Sequence, residues 1–378
     1  MDLGELIKFY EKHDPDVAMY EGSDSNKNGS GSSNKNLANG VEDISEQVFE
    51  GKTKKCNLIG HHLRLEGHDE KLGAMLKHFT RFNGPKLRVG AMQIFVTSIN
   101  KKSKHIVSNF EDPNDITALR DFCRAHKIRL YVHSSYKVVL CGNHPHYSYH
   151  LALKELRLAS KLGAIGYVVH LPNDTNENIV AFFRGLAQKV AQKGLGGGVS
   201  TNKRPIPVIY LEPVPFSTTK KGQPVKGALA DNKAFLDPYR LHRLYKATNK
   251  IDGLKFGLCV DTAHIWAMGG DISSRAKADQ YFGECEKALS GARLLIHLND
   301  QAFDFGSGKD KHAPLGHGTM WSTYKGALGK SGLKSVLDFA IKTGAPCILE
   351  RNAHQEIDGL EPGNDTIQLD YNKISDLI

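Results

Sequence analysis

The sequence predicts an α/β protein built as a single (β/α)8 TIM barrel with a disordered or partly helical N-terminal extension, and three observations carry that prediction. Eight short runs of apolar and β-branched residues recur between residue 56 and residue 350, longer amphipathic segments lie between them, and most runs end in a histidine or a carboxylate. The first two describe repeated βα units around a parallel sheet, and eight units over roughly 320 residues fit one closed barrel of ordinary size. The third matters because the C-terminal ends of all barrel strands open on one mouth. A doubly wound open sheet is the runner-up.

In chain order the runs are residues 56–62 (CNLIGHH), 89–96 (VGAMQIFV), 128–133 (IRLYVH), 165–171 (IGYVVHL), 206–212 (IPVIYLE), 256–261 (FGLCVD), 293–298 (RLLIHL) and 346–350 (PCILE). Helices are expected over residues 115–126, 148–162, 177–192, 238–249, 275–288 and 332–343. Ahead of the barrel, residues 1–20 can hold one short helix through Leu3, Leu6, Ile7 and Tyr10. Residues 21–40 (EGSDSNKNGSGSSNKNLANG) cannot bury enough surface to offset the entropy of ordering. The chain therefore divides into an acidic, low-complexity extension, residues 1–55, and a catalytic-sized barrel domain, residues 56–378. Glycine-rich insertions at 193–204 and 216–232 read as surface loops, with residues 196–198 a flexible turn. Neither a Walker loop nor G-x-G-x-x-G follows the first run, which removes the main support for nucleotide binding.

Composition narrows the class further. With 378 residues, 40% hydrophobic and 24% charged, the chain is globular in type, and no window approaches the ~18 apolar residues of a membrane span. Asp2, Glu5 and Glu11 stand where a signal peptide would be basic and then apolar, so a soluble intracellular protein with no membrane partner is expected. The six cysteines form no C-x-x-C pair and suggest neither a disulfide framework nor a thiolate metal site. The net charge of +9 divides into −7 over residues 1–50 (four Lys, eleven acids) and +16 over residues 51–378 (46 basic, 30 acidic). A basic body of that size points to a polyanionic ligand.

The run ends carry the chemistry. Runs three to eight end in His133, His170, Glu212, Asp261, His297 and Glu350. One such residue after a strand is more often an N-cap or a turn residue, but six in succession converge on one cavity. Gathering them there without a cation would cost on the order of several kcal/mol in desolvation and repulsion. Imidazole and carboxylate without thiolate favour zinc, manganese or iron. CVDTAH adds His264 three residues after Asp261, and GKDKH adds Asp310 and His312. Five His, two Asp and two Glu are too many for one ion, which takes about four ligands, so two or three ions are implied. Three divalent ions would outweigh the four carboxylates and leave a positive centre suited to a phosphate; multi-metal sites serve phosphoryl hydrolysis. The tract HPHYSYH (His144, His146, His150) reads as a loop running into a helix, and His62 as an orienting group bordering the site.

These residues resemble the endonuclease IV type of apurinic/apyrimidinic (AP) endonuclease, in order along the barrel: IGHH, MQIF, VHSSY, VVHLP, the Glu212 strand, CVDTAH, HLND, GSGKDKHAPLGHG and ILE. The resemblance implies three zinc ions: one on His133 and His170 with Glu212 bridging, a second on Glu212, Asp261, His297 and Glu350, and a third on His264, Asp310 and His312. It makes Glu212 and Glu350 catalytic as well as ligating. It implies hydrolysis of the phosphodiester 5′ to abasic sites in double-stranded DNA during base excision repair, by a monomer, leaving a 3′-hydroxyl and a 5′ deoxyribose phosphate. Tyr136 becomes a DNA-inserting side chain, with simple packing at the barrel rim as the alternative. Departures are His317, where the family carries an acid between the glycines, and SINKKSK (residues 98–104), which lacks the family pattern. The place of action is the nucleus or cytoplasm, or the virion and viral replication site if the source is viral; the Asn- and Lys-rich tail suggests an AT-rich genome, which suits some protists or large DNA viruses. A sugar isomerase with one or two ions and a non-enzymatic DNA-binding scaffold are the competing readings.

The charge split generates a test. A Debye length of about 8 Å screens the tail from the body, but tethering raises its local concentration to about the millimolar range. Deleting residues 1–50 is expected to tighten binding to undamaged duplex at low salt, less so at high salt, as measured by fluorescence anisotropy.

Overall fold

The computed structural model describes residues 56–63, 72–82, 84–99, 106–110, 112–138, 140, 145–171, 174–193, 205–215, 234–351 and 366–378. The expected extension (1–55), both glycine-rich insertions beyond Lys193, residues 100–104 and His144 lie outside the described residues. Residues 48–378 form one compact unit.

Each of the eight apolar runs contains one barrel strand: β1 (Ile59–His62), β2 (Ala91–Phe95), β3 (Arg129–His133), β4 (Gly166–Leu171), β5 (Val208–Pro213), β6 (Phe256–Asp261), β7 (Leu294–His297) and β8 (Cys347–Leu349). All are parallel, each pairs with its neighbours in sequence, and β8 closes on β1. Closure excludes the open doubly wound sheet. Gly60 is a condition of it, because a Cβ there would stand 2.0 Å from the Ala91 carbonyl oxygen.

The helices coating the barrel are α1 (Leu72–Phe79), α2 (Pro113–His126), α3 (Pro145–Leu162), α4 (Asn176–Gln192), α5 (Pro238–Thr248), α6 (Thr262–Met268), α7 (Arg275–Ala288), α8 (Gly332–Thr343) and α9 (Thr366–Leu377). Caps explain their limits. Asp112 accepts from the Asn114 amide and Pro113 presets the first turn, so α2 starts two residues before the hydrophobic periodicity does. Ser331 caps α8, and Gly344 ends it in the left-handed conformation at φ 69°. α3 begins at Pro145, inside the HPHYSYH tract. Among the described residues no helix is long and apolar enough to cross a membrane.

Strand alternation sorts the core into two parts. Outward-facing residues pack under the helices, while Ala91, Tyr131, Val168, Tyr210, Cys259, Leu295 and Ile348 fill the barrel interior. The Tyr131 and Tyr210 rings cross edge to face at 5.8 Å, in space that a Cβ on Gly166 or Gly257 would invade. His61 faces outward into the first part, stacked on Phe79 at 4.1 Å, with Nδ1 3.2 Å from the Tyr371 hydroxyl.

Helix α9 is fastened to the end of β8 by a buried ion pair. The Arg351 guanidinium donates to Asp370, to Thr366 Oγ1 and to the Thr366 carbonyl, and Asp370 also accepts from the Leu315 amide at 3.1 Å. Breaking a buried pair leaves one charge uncompensated, so Asp370→Ala should lower stability by about 3–5 kcal/mol, whereas Arg351→Met with Asp370→Leu should recover most of the loss. Urea denaturation curves of the two variants decide this; an Asp370→Ala chain as stable as the parent would contradict it.

Candidate metal centre

Two residues beyond each interior core side chain, on the same face of its strand, stands a polar one. Ala91 is followed by Gln93, Tyr131 by His133, Val168 by His170, Tyr210 by Glu212, Cys259 by Asp261, Leu295 by His297 and Ile348 by Glu350. The period of two that buries the apolar layer lifts these seven side chains into the layer above it, at the mouth. Sheet register then makes neighbours of His170 and Glu212 and of Asp261 and His297. The remaining three come from loops: His264 from the first turn of α6, Asp310 and His312 from the segment after β7.

All nine expected ligands meet in one contact network. Glu212 is fully buried at its centre, with Oε2 3.4 Å from His133 Nε2 and 3.5 Å from His170 Nε2, and Oε1 3.0 Å from His297 Nδ1 and 3.3 Å from His264 Nδ1. His297 Nδ1 also lies 2.9 Å from Glu350 Oε2 and 3.8 Å from Asp261 Oδ2. Asp310 reaches His264 Nε2 at 3.2 Å and His312 Nε2 at 3.1 Å, and His312 stands 3.5 Å from Asp261.

Within this network, ligand atoms fall into sets within 4.8 Å of one another: His133, His170 and Glu212; Glu212, Asp261, His297 and Glu350; and Asp261, His264 and His312. The first two sets coincide with those the family resemblance implies. In the third, Asp261 joins His264 and His312, with the Asp310 carboxylate against both imidazoles. A further set, Glu212, Cys259 and His297, was not expected from the sequence. Burial pushes the Cys259 thiol far above its ordinary value, so it stays protonated and is the poorer donor.

Hydrogen bonds orient the ligands. His133 Nδ1 donates to the Ser134 carbonyl at 2.8 Å, His264 Nδ1 to the Pro213 carbonyl at 2.9 Å and His312 Nδ1 to the Glu350 carbonyl at 3.0 Å. A carbonyl only accepts, so in each ring Nδ1 carries hydrogen and Nε2 is the nitrogen turned to the centre. Asp261 caps α6 with Oδ1, accepting from the Ala263 and His264 amides at 2.6 and 3.0 Å, which leaves Oδ2 turned to the centre. Burial pulls His170 down to about 4 and keeps it neutral, the form that binds a metal. On Glu212 burial works upward, but the His297 charge and the hydrogen bonds of His133 and His297 hold the carboxyl well below its usual range.

The donor set fits divalent cations. Glu212 Oε2 and His264 Nε2 are buried without a hydrogen bond: their neighbours are close but not aligned as partners. Leaving such groups uncompensated costs about 1–3 kcal/mol each, and a cation between converging lone pairs removes that cost.

Sequence reasoning missed the groups that brace this layer. Asn299 of HLND bridges three strand ends, donating to Asp261 Oδ2 at 3.0 Å, accepting from the Glu350 amide at 2.9 Å and donating its amide to Thr262 Oγ1 at 2.9 Å. Asp300 accepts from the Gly316 and Gly318 amides at 2.9 and 3.1 Å, and burial raises it to about 7. That turn carries His317 beside Lys373, Lys325 and Arg351; burial first and these cations next lower it to about 4, so the imidazole is neutral where an acid would have paired with them. Gln93, fully buried, touches both Glu350 and His297. Its signal was available: a polar residue two after Ala91 in an apolar strand.

Above the network lies a cavity of about 260 Å³ lined by His62, Phe95, His133, Tyr136, His170, His264, Asp310, His312, Glu350 and Arg351. His62 borders it as expected. Tyr136 is 70% exposed at the rim, with its ring 5.4–5.8 Å from those of His170, Phe95 and His133. It therefore packs on one side and is open on the other.

Residues 90–362 match the family model described as xylose isomerase-like TIM barrel. A protein of African swine fever virus (isolate Warthog/Namibia/Wart80/1980) named "Probable AP endonuclease" is 28% identical over 263 residues, 69% of this chain and 78% of that one. Among solved structures, AsfvAP:AG superposes with a TM-score of 0.66 at 23% identity, covering 85% of this chain and 99% of its own. Endonuclease IV from Thermus thermophilus gives 0.58 at 20% identity, covering 84% and 98%. At these identities the two structures speak to the fold.

If the cluster is a metal centre, stripping the protein with a chelator should lower its thermal midpoint, and zinc at a hundredfold excess over the dissociation constant should restore about 2.7 kcal/mol per independent ion. Calorimetry with and without metal reads this directly. Identical melting curves would contradict it.

Proposed function

The chain belongs to the xylose isomerase-like TIM barrel family, and from that membership and the centre just described we propose that it is a zinc-dependent AP endonuclease. It hydrolyses the phosphodiester 5′ to abasic sites in double-stranded DNA during base excision repair, leaving a 3′-hydroxyl and a 5′ deoxyribose phosphate, and acts as a monomer inside the cell. The observation that carries this is the gathering of eight of the nine ligands into adjoining sets linked through Glu212 and Asp261, with Asp310 against His264 and His312, at the floor of a cavity rimmed by an open aromatic ring. Its viral relative bears an AP endonuclease name over 78% of its length.

In this reading His133 and His170 would hold one ion with Glu212, Glu212, Asp261, His297 and Glu350 would hold a second, and His264, Asp310 and His312 would hold the third. Bound there, the ions supply a nucleophile near neutral pH and neutralise the phosphate oxygens and the leaving alkoxide. The chain's own residues do the rest. Backbone carbonyls hold three imidazoles with Nε2 inward, and Glu212 and Glu350 bring the charge that keeps adjacent cations together. Tyr136, exposed at the rim, would fill a gap in a base stack, and the +16 body would attract the phosphate backbone without reading sequence. A nucleotide must leave the helix to reach the cavity floor, and an abasic one has no base to unstack, so specificity comes from the cost of extrusion.

A sugar isomerase remains the natural competitor within the family, and it needs only one or two ions. A duplex oligonucleotide with a single abasic analogue separates the two. Incision on its 5′ side in any sequence context, abolished by chelator and by Glu212→Gln with the fold retained, is the expected result, and polymerase extension should reveal the 3′-hydroxyl. Equal cutting of intact duplex, or at most one ion per chain by elemental analysis, would sink the assignment.

A further inference from the structure

We propose that Gln93 selects the nitrogen with which His297 faces its partners, and thereby sets the affinity of the ion site formed by Glu212, Asp261, His297 and Glu350; the proposal rests on the metal-centre reading above. Of the other proposed ligands, His133, His264 and His312 are oriented by main-chain carbonyls, of Ser134, Pro213 and Glu350, which no side-chain substitution removes. His297 differs. Its Nδ1 faces Glu212, Glu350 and Asp261, and its Nε2 lies 3.0 Å from Gln93 Oε1.

The hydrogen on Nε2 follows from donors and acceptors alone. Glu350 Oε1, as a carboxylate, can only accept, so the Gln93 atom 2.5 Å from it is the amide nitrogen. The same nitrogen stands 3.5 Å from His62 Nδ1 at the cavity wall. The amide oxygen must then be the atom facing His297, and it too can only accept, so His297 Nε2 carries hydrogen. Nδ1 faces carboxylate oxygens, which also accept, so it is this nitrogen whose proton an ion between the carboxylates would replace, the reverse of the Nε2-inward arrangement at His133, His264 and His312. The neighbouring Cys259 thiol is both a weak donor and a weak acceptor and does not discriminate between the nitrogens. One amide thus fixes two ligands, pinning the Glu350 carboxylate and choosing the His297 tautomer. Gln93 is fully buried in β2, a strand that supplies none of the nine ligands, and its effect on the centre passes through those two residues.

The test uses the full chain loaded with zinc. In Gln93→Met, which keeps the length and removes both hydrogen bonds, competition with a graded chelator should show one ion bound about 10–100-fold more weakly while the other two keep their wild-type affinities. In zinc-loaded wild type labelled with nitrogen-15 on its imidazoles, the His297 resonance, identified by its loss in His297→Ala, should show protonated Nε2 and metal-bound Nδ1. Wild-type affinity for every ion in Gln93→Met, or a His297 that binds through Nε2, overturns the proposal. The second measurement needs no variant of Gln93, so it decides even if Gln93→Met fails to fold. A wild type that takes up no zinc overturns the metal reading and this proposal together, whereas a zinc-binding wild type matched by its variant overturns this proposal alone.

Discussion

The constraint on which everything else depends is the burial of the Glu212 carboxylate at the centre of a closed barrel. Taking a charge out of water costs several kcal/mol or more unless opposite charge and hydrogen-bond donors surround it. Four imidazole nitrogens stand within 3.5 Å of its two oxygens, each delivered by a different element. No local stretch of chain could provide that surrounding. It needs β3, β4 and β7 and the first turn of α6 in fixed register with β5, which only the closed sheet supplies.

The same closure divides labour between layers two residues apart. The lower interior layer is apolar and aromatic, filled by Tyr131 and Tyr210 over Gly166 and Gly257, and it makes the barrel rigid. The upper layer is almost wholly polar and inherits its positions from the lower one, so ligand geometry is set by core packing. Asn299 and Asp300 extend the same logic into the loops, tying the ends of β6, β7 and β8 together and holding the 316–318 turn. Rigid ligands are what a centre of several cations requires, since mutual repulsion of the ions must be opposed by a cage that does not relax.

Much of this was legible in the amino-acid sequence because strands and chemistry share one signal. Each apolar run marks a strand, its last polar residue marks the mouth, and the barrel topology turns separate residues such as His133, His170 and Glu212 into a cluster. Helix limits were legible to within a few residues, and where they differ, as at Asp112 and Pro113, capping had moved the start ahead of the hydrophobic periodicity. What stayed hidden depends on contacts between distant segments. The grouping of Asp261 with His264 and His312, the bracing by Asn299 and Gln93, and the nearness of the Cys259 thiol to His297 join residues up to 257 positions apart. His61 and His62 show the limit well: adjacent in sequence, they face opposite sides of β1, one into the outer core and one onto the cavity.

The proposed function makes this polar layer a cage for several zinc ions, with Glu212 shared between two of them. Anomalous diffraction at the zinc absorption edge, from crystals of protein purified without chelator, tests that most directly. Three peaks are expected: one among His133, His170 and Glu212, one among Glu212, Asp261, His297 and Glu350, and one beside His264, Asp310 and His312. A single peak, or peaks away from Glu212, would contradict it.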